Sequence, residues 1–367
     1  MSITVEEKNF GLAMNPLTQA KEMVRSYILR NTKGMSVTLI QLGAAIQSVS
    51  LPDGSKKVDD VCLGFDDVAG YVNNKDFYIG GTLGRVAHRV ANGEYTVDEK
   101  TISLSKNIQD QLHLNGGFIG FDSVIWEVMQ KTPEGVVFQH ESPHGHEGYP
   151  GTLTCKITYR LDINNRLSIS FEATTDQSTV VNLSNHAFFN LAGHGAGAKG
   201  LAEHTVEIAS SEIVETDASE IPTGNLTLVA DTVFDLRSPI VLRDRLQEME
   251  NNKMKGYDNC YVVNGGQLLR STVKVAKIVH PPTGRSLEVW TDQPALQFYT
   301  ANDFISVPGK RGFRYVKNGA FCVGTQKFPD AMNHPTFPSI NLEPEETYRH
   351  EVLYWFKIEK ICRCCYK

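Results

Sequence analysis

The sequence has little of what marks membrane-bound, secreted or nucleic-acid-binding chains. No uninterrupted apolar stretch approaches the roughly 20 residues that a membrane-spanning helix requires. The N-terminus, Met1 to Lys8, carries neither a basic segment nor an apolar one, so no secretory signal is read there. Lys and Arg number 36 against 42 Asp and Glu, and no run of like charge stands out. A nucleic-acid surface would want clustered cations, so that class of partner is not expected. Long helical periodicity is nearly absent. There is also no internal repeat, no low-complexity segment and no Pro/Gly/Ser linker long enough to divide the chain, so residues 1–367 are expected to form one domain.

Cysteine is sparse and odd in number, at seven. Cys62, Cys155, Cys260 and Cys322 sit among apolar neighbours and read as reduced, buried thiols of a cytoplasmic protein. Cys362, Cys364 and Cys365 cluster in a tail, residues 359–367, that reads as exposed; palmitoylation or metal binding is the alternative there. What remains is an ordinary water-compatible composition, 41% hydrophobic and 21% charged, on a chain long enough to bury a sizeable core.

Period-two alternation dominates what is there. Leu153, Cys155, Ile157, Tyr159 and Leu161 share one face, and after the turn Asp162-Ile163-Asn164-Asn165 the alternation resumes through Leu167, Ile169, Phe171 and Ala173. That pattern predicts an antiparallel hairpin with one buried side. Similar segments run from Val37 to Leu51, Val273 to Val279, Leu287 to Trp290 and Tyr348 to Ile358, with a tight turn at Pro281-Pro282-Thr283-Gly284. Short helices are predicted near Pro16 to Arg25 and over Leu242 to Glu250. The sum is an all-β fold, a large antiparallel β-sandwich with few short helices.

Three motifs invite chemistry and are weighed against plainer readings. Gly80-Gly81-Thr82-Leu83-Gly84 lacks the βαβ context of a dinucleotide loop and reads as a tight turn leading to Arg85 and Arg89. His144-Gly145-His146-Glu147 reads as an exposed loop, since no second ligand cluster supports a metal site. His186 lies in Asn182-Leu183-Ser184-Asn185-His186-Ala187-Phe188-Phe189-Asn190. Taken alone it reads as a satisfied core histidine, but the amides around it could fix its tautomer and bind sugar hydroxyls.

Several segments, in order along the chain, then carry a resemblance. They include Gly84-Arg85-Val86-Ala87-His88-Arg89, Leu114-Asn115-Gly116-Gly117-Phe118-Ile119-Gly120-Phe121-Asp122, Asn185-His186-Ala187-Phe188-Phe189-Asn190-Leu191 and Pro222-Thr223-Gly224. Gly256-Tyr257-Asp258, Gln293 to Tyr299, and Thr325-Gln326-Lys327-Phe328-Pro329-Asp330-Ala331 follow. Together they resemble the aldose 1-epimerase (galactose mutarotase) family. The resemblance implies anomer exchange on a monosaccharide of the galactose or glucose class without a cofactor. No metal is expected from the loop reading above, and a sandwich with a polar exterior fits a monomer or a dimer equally well. His186 matches the family's acid, Asp258 a carboxylate on sugar hydroxyls, Arg89 a cation placed on the sugar, and Gln297 the pocket wall.

Departures from the family pattern are as informative. The family's base, a glutamate directly before Thr-Gln, is Gly324 here. The asparagine expected before Arg89 is His88, the histidine expected before Gly116 is Asn115, and a tyrosine is replaced by Phe188. Activity is therefore expected to be weak or lost, with a carbohydrate-binding pseudoenzyme or sensor as the alternative. Asp330, Glu343 and His88 are the conceivable substitute bases, and His88 is the most interesting of them. A glycoside hydrolase would need two carboxylates about 5–9 Å apart, and no convincing pair is seen.

Overall fold

The computed structural model describes residues 3–97, 99–264 and 271–359. Residues 360–367 of the tail expected to hang free, with Cys362, Cys364 and Cys365, thus lie outside the described residues. Strands dominate the fold and all the large sheets are antiparallel. A nine-stranded sheet runs, in spatial order, Glu127–Thr132, Gly135–Ser142, Leu153–Leu161, Arg166–Thr175, Tyr348–Ile358, Arg285–Thr291, Val273–His280, Thr205–Ile208 and Ile240–Val241. A six-stranded sheet carries Phe188–Phe189, Phe321–Gln326, Ala295–Tyr299, Asp258–Val262, Glu212–Thr216 and Pro222–Leu228. A five-stranded sheet covers Thr4 to Asp60.

The hairpin read from the sequence forms as expected. Leu153, Cys155, Ile157, Tyr159 and Leu161 are all buried, and Ile157 faces Phe171 across the strand pair. Its turn is set by Asp162, whose Oδ1 accepts from the backbone N–H of Asn164 at 2.7 Å and of Arg166 at 2.9 Å. The second hairpin closes where Gly284, at φ +73°, donates its N–H to the His280 carbonyl at 3.0 Å. The inner faces of the large sheets share one apolar core in which Ile157, Phe171, Val289 and Tyr354 meet Phe298, Phe321 and Val323. Tyr354 ties the layers further by donating its hydroxyl to the Val323 carbonyl at 3.1 Å.

The helix over Leu242–Asn251 is present, with Leu242 and Met249 buried two turns apart. The helix expected from Pro16 to Arg25 is not. Asn15 Oδ1 accepts from the N–H groups of Leu17 and Thr18 to make a turn, and Lys21–Arg30 is a strand paired on both sides. Val24 and Ile28 are β-branched, and two partner strands supply ladder bonds that a short surface helix could not match. Among the described residues no helix is long and apolar enough to cross a membrane.

Candidate functional site

Short segments from across the chain converge on one cleft of about 180 Å³, and all seven positions singled out in the sequence line it: His88, Arg89, Asn115, His186, Asp258, Gln297 and Gly324. His186 is clamped through its backbone, donating to the Gly81 carbonyl at 2.8 Å and accepting from Gly80 at 2.9 Å. Arg89 opens the strand Arg89–Val90, which pairs with His113–Leu114 and so delivers Asn115 beside His88. There the two residues lock together. The Asn115 N–H donates to the His88 carbonyl at 3.1 Å, and Asn115 Oδ1 accepts the His88 N–H at 2.7 Å. Both hold positive φ, which each pairing stabilises.

On the six-stranded sheet, Cys260 faces Gln297 and Gln297 faces Gly324, so Asp258, Gln297 and Gly324 come from three adjacent strands. Gln297 Nε2 donates to Asp258 Oδ1 at 2.6 Å, while Gln297 Oε1 is buried without a partner. Arg89 lies between two carboxylates: Nη2 bonds Glu220 Oε2, and Nη1 is 4.0 Å from Asp258 Oδ2. Burial pushes the Asp258 carboxyl up to about 6, opposed by Arg89 and by the Gln297 hydrogen bond. Burial pulls His186 down to about 4 against the nearby carbonyls of Tyr78 and Phe77, and its Nδ1 has no hydrogen-bond partner. His88 is held far below the ordinary histidine range by burial, then by Arg89 and His186, and its Nδ1 is also unpartnered. Two neutral imidazoles thus face the same space at neutral pH.

Gly324 carries no side chain at the cleft wall. Its backbone is not left-handed, and a Cβ there would meet only Ser184 Oγ, at 2.9 Å, and the Asn185 carbonyl, at 3.5 Å. Ser184 Oγ now donates to the Thr325 carbonyl at 3.0 Å. A rotated hydroxyl would clear the way.

One sequence reading needs correction, and the remaining residues weighed there also find their places. Asn182, Asn185 and Asn190 do not converge on His186: Asn182 bridges the Lys327 backbone, Asn185 reaches Gly80 and Tyr159, and Asn190 reaches Gly197 and Gly319. What orients the His186 ring is aromatic, with Phe188 edge-on at 4.8 Å and Tyr299 parallel at 6.4 Å. Phe188 itself is fully buried behind the site. Arg85 is a structural cation, donating to Ser142, Pro143 and Pro150. Glu147 is consumed by the backbone N–H groups of Phe118 and Ile119, and His144 by that of Gly151. Of the substitute bases, Asp330 caps the N–H of Ala91 at 3.1 Å, and exposed Glu343 accepts from Ser178 at 2.9 Å; neither lines the cleft.

Sequence reasoning missed Asp76, Tyr78, Tyr299 and Asp303, which also line the cleft. Tyr299 sits inside a segment that carried the resemblance. Asp76 and Tyr78 lie at a short 3₁₀ turn, Lys75–Phe77, with no motif to flag it. A larger apolar pocket of about 280 Å³ lies beyond Tyr78, but it gathers no comparable set of polar groups.

With this geometry in view, the class is defined: the chain belongs to the aldose 1-epimerase family, whose pattern it matches over residues 25–355. Among relatives it is 40% identical to the galactose mutarotase of Rattus norvegicus over 336 residues, 91% of this chain and 94% of that protein. It is 39% identical to the human galactose mutarotase, over 93% of this chain and 94% of that one, and 34% identical to the Escherichia coli aldose 1-epimerase, over 91% and 96%. Among solved structures, a GalM/aldose epimerase homologue from C. elegans aligns at a TM-score of 0.82 with 30% identity, covering 91% of this chain and all of that one.

Proposed function

We propose that the chain binds an aldohexose of the galactose or glucose class in this cleft, and that its exchange of α and β anomers is slow or lost. Gly324 carries this reading, because the cleft offers no carboxylate where the family's base would stand. Ring opening needs a base to take the anomeric hydroxyl proton while an acid protonates the ring oxygen, each group contributing on the order of 100- to 10,000-fold. His186 is placed for the acid role, yet burial keeps it neutral near pH 7. A carboxylate at residue 324 would supply the base and raise the His186 pKa toward neutrality by its charge. Both halves of the acid–base pair therefore depend on the same missing group. The four described cysteines are free and buried, which supports a reducing, cytoplasmic setting.

The test is anomer exchange on freshly dissolved α-D-galactose and α-D-glucose, followed by polarimetry, for the natural chain and Gly324→Glu. A near-inert chain and an active variant support a diverged binder. Fast exchange by the natural chain overturns the reading and directs attention to His88. Galactose-dependent thermal stabilisation without exchange favours the sensor alternative.

A further inference from the structure

Arg89 is the cation of the cleft, and it is already occupied. Glu220 projects from the tip of the connection between the strands Glu212–Thr216 and Pro222–Leu228 and bonds the Arg89 guanidinium. The tip is built to hold that pose: Glu220 sits at φ +61°, and Asp217 Oδ1 accepts from the N–H groups of Ser219 at 2.8 Å and Ile221 at 3.1 Å. The Arg89 side chain is 18% exposed, whereas Glu220 is 48% exposed at the rim. Around them stand Asp76, Asp258 and Asp303, which line the cleft, and Lys255, whose ammonium is 3.1 Å from Asp303 Oδ1. Among the described residues, carboxylates at the mouth outnumber cations, and the guanidinium placed to receive an anion has a carboxylate on it.

We infer that Glu220 is a specificity-determining residue that masks Arg89 and so makes the cleft select uncharged sugars over acidic ones such as hexuronates and hexose phosphates. The inference rests on the sugar-binding reading of the cleft. An anionic ligand must either displace Glu220 from Arg89 or sit against unneutralised carboxylates. A neutral hydroxyl can accept from the remaining guanidinium N–H groups and donate to Asp258 without disturbing the pair. Glu220 is not a contact to the reacting atoms; it acts through Arg89.

The experiment is calorimetric titration of D-galactose and D-galacturonate into the natural chain, Glu220→Gln, and Glu220→Gln combined with Arg89→Met. Removing one negative charge a few ångströms from a bound carboxylate should raise the galacturonate-to-galactose affinity ratio about tenfold at low salt. The gain should shrink as salt is added and vanish in the double variant. An unchanged ratio in Glu220→Gln, with galactose still bound, overturns the inference while leaving the cleft assignment standing. A gain that survives loss of Arg89 also overturns it. Failure of every form to bind galactose sinks the underlying reading instead. Because Glu220 is at an exposed tip and Gln keeps its shape, a folded variant is expected, and circular dichroism checks it.

Discussion

At the scale of single residues, His186 and His88 occupy one cleft with different consequences. If Gly324→Glu restores exchange through His186, adding His186→Gln should remove the restored rate by about 100-fold or more, read by polarimetry. A rate that persists would take the acid role away from His186. His88→Gln tests the remaining substitute base: residual activity of the natural chain should be unmoved, because burial, with Arg89 and His186 beside it, holds the His88 imidazole far below the ordinary histidine range and makes it a weak proton acceptor. Away from the cleft, Lys310 is buried with its ammonium on Asp60 Oδ2 at 2.6 Å and on the carbonyls of Gln47 and Cys62. Lys310→Met should cost about 3–5 kcal/mol in urea denaturation, since it strands a buried carboxylate. The seven cleft residues were legible because they lie in motif segments. Glu220 and Asp76 were not, because one reaches Arg89 from a loop tip and the other stands on a three-residue 3₁₀ turn, neither with periodicity or spacing to announce it.

At the scale of elements, the site depends on a close approach between two turns. A Cβ on Gly116, at φ +96°, would lie 1.7 Å from the Gly84 carbonyl oxygen. Gly84 and Gly116 flank the residues that bring His88 and Asn115 together. Gly116→Ala should therefore destabilise the fold by about 2–5 kcal/mol and weaken galactose binding more than a core truncation of equal cost. Equal loss of binding in both would show that the turn only supports the fold. Strands were legible where alternation ran for eight or more residues, as in Leu153–Leu161 and Tyr348–Ile358. Two-residue strands such as Arg89–Val90 and Ser184–Asn185, which place the chemistry, are set by tertiary pairing alone. The misread segment Pro16 to Arg25 failed for the same reason: its neighbours, not its own spacing, make Lys21–Arg30 a strand.

At the scale of the whole molecule, buried histidines give acid a defined grip. Burial holds His113 and His186 down to about 4, and His140, His204 and His350 down to about 3, against an ordinary 6.5. The unfolded chain binds protons that the folded chain refuses, so their contribution is complete above about 6.5 and is lost as pH falls toward those values. Asp122 and Asp258, raised by burial to about 7 and about 6, act in the opposite sense. His88, His146, His194 and His280 are lowered in the same sense as the five, and Asp330 and Glu351 are raised with the two carboxyls. The histidines outweigh the carboxyls, and the urea midpoint should fall between about pH 7.5 and about pH 5. A midpoint that rises on acidification would mean the histidines are solvated.

The strand Tyr348–Ile358 is the last in chain order among the described residues, yet it lies in the middle of the nine-stranded sheet, between Arg166–Thr175 and Arg285–Thr291. Both of its partner strands precede it in synthesis, so their facing edges can be paired only once this segment clears the ribosome, and until then they are open to mispairing. Arrested nascent chains ending before Tyr348 should stay protease-sensitive, and release of the final strand should confer resistance in one step. The half-built sheet, rather than the finished protein, is then the form on which a cell's chaperones must act.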